Sequence, residues 1–298
     1  MSNCCYTGAL SKLKLDGHFM DFIEFRPYEV YQKLADGSAE SIRGTLDHLD
    51  TDIDIEYQVA KFLMTTYVSP NKMQYILPLL GMPVTGTANT YDTTDTLPLF
   101  DTKLETPSGT LFTFSDCMVN GYSVRGQKGG GPIRITMDVW AMRMATSDAG
   151  VETFSSLVSG LIYAFSRGQF TYDGVEYLYD QFSLDVNHRL IYQHNNSINV
   201  TTMCPTDRRI QFQTSTPYNT CSGSIDLFET PWNGDISGAA GNIDFTRDTN
   251  ETKFSFANMK SVARMPNVNK FNEIRLPLQF MCYKTSSTPA IRVLNVVG

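Results

Sequence analysis

Short runs in which apolar and polar residues alternate are the feature that most constrains the fold of this chain. The clearest are TLFTFSDCMV (110–119), IRITMDVWAM (133–142), RRIQFQTST (208–216), KFSFANM (253–259) and EIRLPLQFMCY (273–283). A period of two gives a strand one apolar and one polar face, and Gly, Pro, Asn and Asp separate the runs as turn residues do. The sequence therefore predicts a mainly β protein made of antiparallel strands.

Two segments are predicted to be helical. SPNKMQYILPLLG (69–81) has Ser69 as a candidate N-cap, Pro70 at the first helical position and Gly81 just past the end. VETFSSLVSGLIYAFSRG (151–168) is apolar enough to be half buried, and Gly168 is placed to cap it. We expect this second helix to bridge two halves of the chain.

Residues 49–57, LDTDIDIEY, place a carboxylate at every second position: Asp50, Asp52, Asp54 and Glu56. An EF-hand calcium loop needs Gly at position 6 and a bidentate Glu at position 12, but counting from Asp50 these are Ile55 and Lys61. Alternation and the β-branched isoleucines instead predict a strand with one acidic face. That face is either an ordinary solvated surface of an antiparallel sheet or a surface with a function.

Composition argues against several classes of protein. The 298 residues include 24 basic and 31 acidic side chains, a net charge of -7, which argues against a surface that grips nucleic acid through clustered Lys and Arg. We expect no export signal and no membrane-spanning helix, since the chain lacks the apolar runs that either requires. The six cysteines follow no metal-ligand spacing, so we expect free thiols in a reducing compartment: Cys4, Cys5, Cys117, Cys204, Cys221 and Cys282.

The chain repeats a pattern of strands. The matched pairs keep their order: Phe112 and Phe114 with Phe254 and Phe256, Ile133-Arg134-Ile135 with Ile274-Arg275-Leu276, 60–71 with 208–219, and IDIEY (53–57) with INVTT (198–202). We interpret this as two tandem antiparallel β-sandwich or barrel domains, at 1–150 and 169–298, joined by the helix at 151–168. Chance similarity between β-rich segments is the alternative.

No catalytic or metal-binding motif is found in the sequence. The four histidines, His18, His48, His188 and His194, are scattered, and the glycine run GQKGGGP (126–132) lacks the frame of a phosphate-binding loop. There is no G-x-S-x-G or H-E-x-x-H motif. We therefore predict a protein that is not an enzyme and holds no cofactor or metal.

The order of elements resembles that of the tail tube protein of long-tailed bacteriophages. The matching segments are KLKLDGHFMDFIEF (12–25), IRGTLDHLDTDIDIEYQ (42–58), the helix at 69–81 and the strand pair at 110–119 and 132–142, with DGVEYLYDQFSLDVNHRL (173–190) and SINVTTMCPTDRRIQFQTST (197–216) opening the second half. The resemblance covers most of the chain. One tube domain would occupy only about half of it, so the resemblance implies a duplicated tube domain.

The resemblance implies a structural subunit that assembles into rings, which stack into a hollow tube for passage of the genome. Six tube domains per ring and two per chain imply a ring of three chains. The implied partners are further copies of the chain, the tape measure, terminator and tail-tip proteins, and DNA that passes without sticking; no membrane is involved. The subunit would be assembled in the host cytoplasm and reside in the virion tail.

The resemblance also assigns candidate surfaces. The acidic face would line the channel, because a wall of carboxylates repels the phosphates of DNA. The lumen-facing candidates are Asp52, Asp54 and Glu56, with Asn199 and Thr201 as uncharged counterparts in the second half. The segment 25–41 is predicted to be a long loop that contacts a neighbouring subunit or ring, through Tyr28, Tyr31, Lys33 and Asp36.

A second interpretation is a β-sandwich binding or adaptor protein of a phage tail tip or neck that recognises a carbohydrate or a protein. The tyrosine-rich stretch DGVEYLYDQF (173–182) favours it, since exposed aromatic residues around a pocket suit such ligands. Rings or tubes would identify the first function, and compact monomers with affinity for a glycan the second.

Overall fold

The computed structural model describes residues 11–36, 53–86, 89–148, 152–154, 156–195, 197–218, 226–233, 237–262, 264–266 and 274–298, with the backbone alone for 31–36, 53–57 and 230. In this part of the chain most residues lie in strands and two segments are α-helices. The predicted mainly β, antiparallel fold is confirmed.

The first half contains β1 (Lys12–Leu15), β2 (His18–Met20), β3 (Glu24–Asp36), β4 (Ile53–Tyr67), α1 (Pro70–Leu79), β5 (Thr90–Asp92), β6 (Phe100–Glu105), β7 (Thr110–Gln127) and β8 (Arg134–Asp148). The second half contains β9 (Gly168–Tyr172), β10 (Val175–Tyr177), β11 (Gln181–Asn187), β12 (Leu190–Gln193), β13 (Thr202–Pro205), β14 (Arg209–Pro217), α2 (Asp226–Trp232), β15 (Ala239–Arg247), β16 (Asn250–Val262), β17 (Arg275–Tyr283) and β18 (Ile291–Val296).

Eight strands form a central antiparallel sheet. Their order is β3–β4–β8–β7–β11–β14–β17–β16, so the two halves meet where β7 pairs with β11. Alternation along these strands buries one face: in β8, Ile135, Met137 and Val139 are fully buried, while Thr136 and Asp138 between them are on the opposite face. The apolar face of this sheet contributes to a large core shared by both halves.

The two halves have the same strand order. In the first, the order is β3–β4–β8–β7–β6–β1–β2, and in the second it is β11–β14–β17–β16–β15–β9–β10. Each half therefore begins with a hairpin that lies at the far end of its own set of strands. A helix follows the equivalent strand in both halves, α1 after β4 and α2 after β14; the second half has the additional hairpin β12–β13 before β14.

The register between strands repeats as well. Met118 of β7 pairs with Trp140 of β8, and the residues that the sequence repeat matches to them, Lys260 and Met281, pair with each other. The opening hairpins turn on the same dipeptide, Asp16-Gly17 and Asp173-Gly174, and all four residues have positive φ, as a type I′ turn requires. KLKLDGHFM (12–20) therefore forms a hairpin of β1 and β2.

In one part of the chain, the residues that the sequence repeat matches differ by two positions from the residues that the structure makes equivalent. Phe62 of β4 pairs with Val139, and Phe212 of β14 pairs with Phe280, the counterpart of Val139. Phe62 therefore corresponds to Phe212, whereas the match of 60–71 with 208–219 places Ile210 there. A shift of two residues leaves the same face buried, so the alternation could not reveal the error.

The halves are tied together at a second place, by the C-terminal strand. β18 pairs with β16 of its own half and with β5 of the first half. Buried Thr252 donates a hydrogen bond to the side-chain oxygen of Asn295 at 2.8 Å, and the Asn295 amide donates to the carbonyl of Pro70, at the start of α1, at 2.9 Å. The division of the chain into domains at 1–150 and 169–298 stays a prediction.

The predicted helix at 69–81 is confirmed as α1. The hydroxyl of Ser69, in extended conformation, accepts a hydrogen bond from the backbone N–H of Lys72, and Pro70 is the first helical residue. Gly81 follows the helix with a φ of +75°, where a side chain would be strained and would also collide with Leu97.

The predicted helix at 151–168 is wrong. In the described residues of this segment the backbone is irregular, with one short 3-10 turn at Phe165–Arg167. Val158 forms a bridge with Met20, and the Asn71 side chain donates a hydrogen bond to the carbonyl of Ser159 at 2.8 Å. The Ser- and Gly-rich middle of the segment disfavours a helix, and its backbone groups bond to other elements instead.

Candidate functional site

The central sheet has one face of polar side chains, here called the polar face. These side chains alternate with the buried ones, so every second residue of each strand belongs to it. Its members are Thr65 of β4, Ser123 and Arg125 of β7, Arg134, Thr136 and Asp138 of β8, Ser183 and Asp185 of β11, Arg209, Gln211 and Gln213 of β14, and Pro277 and Gln279 of β17.

A groove of about 770 Å³ runs along the polar face. Glu24 of β3 and Arg264, just after β16, both line it together with residues of the strands between them. Since β3 and β16 stand at opposite ends of the eight-strand order, the sheet curves around the groove. The polar face is therefore the concave side of the sheet.

The charges of the polar face have both signs. Its members include three arginines, Arg125, Arg134 and Arg209, and two aspartates, Asp138 and Asp185. Arg125 Nη2 lies 2.9 Å from Asp185 Oδ1 across the junction of β7 and β11. Arg125 and Arg134 stand directly opposite each other in the β7–β8 ladder. Within the described residues this face is mixed in charge rather than acidic.

A bulge in β3 turns Tyr28 toward the polar face. The register between β3 and β4 shifts between Pro27 and Glu29, which leaves Tyr28 as the extra residue. Its hydroxyl donates to Asp138 Oδ1 at 2.6 Å and accepts from the indole N–H of Trp140 at 3.0 Å. Burial and the neighbouring Asp138 carboxylate raise the pKa of Tyr28 above its ordinary value, so the phenol stays protonated.

The hairpin β12–β13 covers the other end of the polar face. Tyr192 of β12 packs edge-on against Trp140 with ring centroids 5.6 Å apart, above a small apolar cluster that includes Met118 and Met203. The Lys61 ammonium lies 4.1 Å from the Trp140 ring centroid and 2.5 Å from Glu29 Oε2. This end of the face is closed, and the end that carries Arg125, Arg134 and Asp185 is open.

The acidic stretch lies at the margin of the described residues. Asp52 is outside them, and of Asp54 and Glu56 the backbone alone is described. Asp54 pairs with Ala35 in the part of β4 that pairs with β3 alone, and the register shifts between Lys33 and Leu34, which leaves Glu56 unmatched. The backbone therefore does not keep the strict alternation assumed for this stretch, and the lumen-facing role of the three carboxylates stays a prediction.

The predicted counterparts in the second half do not lie in a strand. Asn199 is in the loop between β12 and β13, where its N–H donates to Ser197 Oγ at 3.2 Å. Thr201 immediately precedes β13, and its N–H and hydroxyl both donate to the carbonyl of Gln193, at 2.8 and 3.0 Å. The strand expected at INVTT starts only at Thr202, and the lumen-facing role of Asn199 and Thr201 stays a prediction.

The long loop predicted at 25–41 is wrong for the residues described. Glu24–Asp36 is one continuous strand, so Tyr28, Tyr31, Lys33 and Asp36 all belong to β3, and 37–41 lie outside the described residues. Mixed aromatic and charged residues concealed the strand, because the bulge at Tyr28 interrupts its alternation. A contact between these residues and a neighbouring subunit stays a prediction.

The tyrosine-rich stretch at 173–182 does not form an exposed aromatic platform. Tyr177 is buried, and Tyr179 packs against Phe165 and Phe170 with ring centroids 4.9 and 6.4 Å apart. These rings contribute to the core, which removes the feature that favoured a carbohydrate-binding protein.

The described residues offer no metal site. Their His, Cys, Asp and Glu side chains form no group that could hold a metal ion. None of their helices has the length and apolar character needed to cross a membrane. Cys117, Cys204 and Cys282 are free thiols, and Cys4, Cys5 and Cys221 lie outside the described residues.

Sequence reasoning did not single out the polar face. Arg125, Asp185 and Arg209 each alternate with buried residues, so the period-two pattern marked them as outward-facing. The pattern did not give the strand order, which brings residues from six strands onto one concave surface.

A comparison with protein families identifies this architecture. The family model for phage tail tube proteins matches residues 32–282, across the boundary between the two halves. A search of curated proteins found no match. Because this match covers most of the chain, and because the mainly β, antiparallel fold of the chain agrees with it, the chain belongs to the phage tail tube protein family.

Proposed function

We propose that this chain assembles into rings of three copies, which stack into a tube whose channel conducts the phage genome. The polar face lines the channel, and each half of the chain acts as one tube domain. The observation that carries the proposal is the repeat of strand order and register between the halves, within one curved sheet. A chain with two equivalent units can occupy two adjacent positions of a pseudo-sixfold ring.

The width of the sheet supports three chains rather than six. Eight strands at a spacing of about 4.8 Å contribute roughly 38 Å to a circumference, before any tilt of the strands widens it. Three chains then close a wall with about 37 Å between opposite backbones, which leaves room for a duplex once side chains fill the rim. Six chains would give about twice that width, more than a duplex needs.

The charge of the wall depends on the acidic stretch. The open end of the polar face carries paired charges of both signs, which alone would not repel DNA. Asp54 and Glu56, in the part of β4 that precedes its pairing with β8, and Asp52 just before β4 in the sequence would make the wall negative, so phosphates would find no net attraction as the genome slides past.

The partners follow from the same assembly. Each ring contacts the rings above and below it, and the ends of the tube contact other tail proteins, the tape measure, terminator and tail-tip proteins among them. The subunit is built in the host cytoplasm and becomes part of the virion tail.

Electron microscopy of the purified chain tests the proposal. We expect rings with six lobes, or stacks of such rings, and a native mass of three chains per ring. A chain that stays monomeric at high concentration and also with its tail partners would contradict the proposal, and rings of six chains would contradict the role of the second half.

A further inference from the structure

The junction between the halves shows how two tube-like units can pair. Val124 of β7 faces Leu184 of β11, and Ser123 faces Asp185. Val124 and Leu184 are 1% and 0% exposed. β7 pairs with β6 up to Cys117, and the same edge pairs with β11 from Gly121 onward. β11 of the second half is thus added to an edge that the first half leaves open.

The second half leaves the equivalent edge open. β16 pairs with β15 up to Met259, the counterpart of Cys117, and beyond that point this edge has no strand partner in the described residues. At the other end of the sheet, β3 is the counterpart of β11, and among the strands that the structure describes it pairs with β4 alone. One chain therefore presents both halves of a junction like β7–β11, at opposite ends of its sheet.

Register identifies which residues correspond. Ser123 and Val124 face Thr136 and Ile135 of β8. β16 pairs with β17 up to Val262–Gln279, and Arg264 and Met265 follow the end of β16. Continuing the same register by two and three residues sets them against Pro277 and Leu276, which are the counterparts of Thr136 and Ile135. Arg264 therefore corresponds to Ser123, and Met265 to Val124.

On β3 the correspondence follows from β4. Pro27 faces Phe62 as Leu184 faces Phe212, and Glu29 faces Lys61 as Asp185 faces Gln211. Tyr28 is the bulge residue between them. Pro27 and Glu29 therefore correspond to Leu184 and Asp185.

Apolar residues at or beside the open edges are more exposed than their counterparts at or beside the junction. Met265 is 68% exposed, against 1% for Val124, and Ile274 is 39% exposed, against 0% for Ile133. Phe25 is half-buried, whereas Phe182, its counterpart, is buried. Both edges carry apolar surface that a second copy would cover.

We propose that the edge of β3 in one copy pairs with residues 264–266 of the next copy in the register of β7–β11. Met265 then faces Pro27, and Arg264 faces Glu29, so opposite charges meet across the contact. The inference rests on the ring proposed above and names the contact that closes it. The two edges differ, so the contact is head-to-tail and repeats around the ring.

The charge pair gives the contact its direction. Glu29 already binds Lys61 through one carboxylate oxygen, and its side chain is 39% exposed, so it can accept from a second cation. Arg264 now contacts Gln279 and lines the groove. Pro27 and Pro266 have no N–H to donate, so this ladder holds fewer hydrogen bonds than β7–β11 and side chains contribute more. The prolines also discourage wrong pairing of the exposed edges.

A disulfide test measures the register directly. In a background with Cys4, Cys5, Cys204 and Cys221 replaced by Ser, we expect Met265→Cys with Pro27→Cys to give covalent dimers and trimers when assembled rings are oxidised. The matched control, Met265→Cys with Arg26→Cys, is one residue out of register, so its side chains point to opposite faces and few cross-links should form. Equal cross-linking by both pairs would refute the register.

A charge-reversal series is the second measurement. We expect Arg264→Glu to reduce the fraction of chains in rings roughly tenfold or more, because it sets two acids against each other. Adding Glu29→Arg should restore rings, and unchanged thermal unfolding would show that the subunit still folds. Wild-type rings of three with no in-register cross-link and no effect of Arg264→Glu would refute this contact and leave the proposed function standing. No wild-type rings at all would overturn both.

Discussion

The guanidinium of Arg292 donates two hydrogen bonds to the carboxylate of Asp92, at 2.7 and 2.8 Å. The pair joins the C-terminal strand β18 to β5, so it links the last residues of the second half to the first half. The Arg292–Asp92 and Arg125–Asp185 pairs lie at two places where a strand of one half pairs with a strand of the other: β18 with β5, and β11 with β7.

Removing the first pair tests its contribution to stability. Arg292 lowers the pKa of Asp92, so the pair stabilises the fold above the unfolded pKa of an aspartate and this stability is lost as pH falls through the lowered value. We expect Arg292→Met to reduce the free energy of unfolding by about 1 kcal/mol at pH 7, and the deficit to vanish well below pH ~4. Urea unfolding across this range measures it. Arg143→Met, at an exposed position of β8, is the control and should change little.

His188 makes the fold sensitive to acid. It is almost fully buried and accepts a hydrogen bond at Nδ1 from Arg208 Nε at 3.2 Å. Burial, together with the charge of Arg208, lowers the pKa of His188 to about 3. Above pH ~6.5 the imidazole is neutral in both states, but below it the unfolded chain binds the proton first, so the free energy of unfolding falls by about 1.4 kcal/mol per pH unit.

The replacement His188→Asn keeps an acceptor for Arg208 and removes the titrating group. We expect it to flatten the loss of stability between pH ~6.5 and 3. His18→Asn serves as the control, because His18 is partly exposed and stacks on Tyr75, and it should leave the steep acid dependence in place. An equally steep dependence in the His188 variant would mean that other groups cause it.

Lys72 places a charge inside the protein at the start of α1. Its side chain is 1% exposed, and its Nζ lies 2.8 Å from Asp21 Oδ1 and 3.0 Å from Thr66 Oγ1. We expect Asp21→Asn to cost about 2 kcal/mol of stability, because it leaves a buried ammonium without its counter-charge, while Lys72→Met, which removes the charge and keeps the stem, costs less. Denaturant unfolding measures the free energy of unfolding of both variants. A larger loss of stability in Lys72→Met than in Asp21→Asn would contradict this expectation.

Thiol reactivity should divide the described cysteines into two groups. Burial raises the pKa of the Cys117 and Cys282 thiols to about 12, whereas Cys204 is exposed. We expect a thiol reagent at pH 8 to label Cys204 rapidly and the other two only as fast as the protein opens, since the thiolate is the reactive form. Peptide mass mapping after timed alkylation measures each rate. An intact mass lower by two hydrogen atoms per cysteine pair before reduction would show disulfides instead.

The acidic stretch carries a prediction about the passage of DNA. If Asp52, Asp54 and Glu56 line the channel, replacing all three by Lys should make assembled tubes retain DNA, and retention should fall steeply with salt. The control places the same charge change at exposed positions away from the polar face: Asp95, Glu176 and Glu229. Retention by the two variants is compared across a salt series, with tubes checked by microscopy. Equal retention would place the carboxylates on an outer surface.

The sequence was sufficient for what depends on local patterns. Alternation located the strands around Phe114, Ile135 and Phe280, and Ser69, Pro70 and Gly81 fixed the ends of α1, since caps act within one turn. The pattern failed at 151–168, where an apolar composition suggested a helix and packing against Met20 and Asn71 imposed an irregular course. It failed again at Tyr28, because a bulge breaks alternation and makes a strand read as a loop.

The candidate site could be predicted in part. The polar residues of each strand were visible, but not the pairing of β7 with β11, which depends on contacts between residues far apart in the chain. The matched positions Met265 and Val124 look unrelated in the sequence, and their equivalence rests on continuing the strand register past Val262. Strand order and register are tertiary properties, and a single sequence constrains them weakly.

The most direct test of the central claim is a cryo-electron microscopy map of the assembled tube. We expect three chains per ring, with the eight-strand sheets of the three chains forming one closed wall and Arg125 and Asp185 facing the channel. Six chains per ring, or a map in which Arg125 and Asp185 face the outside of the tube, would contradict the proposed tube.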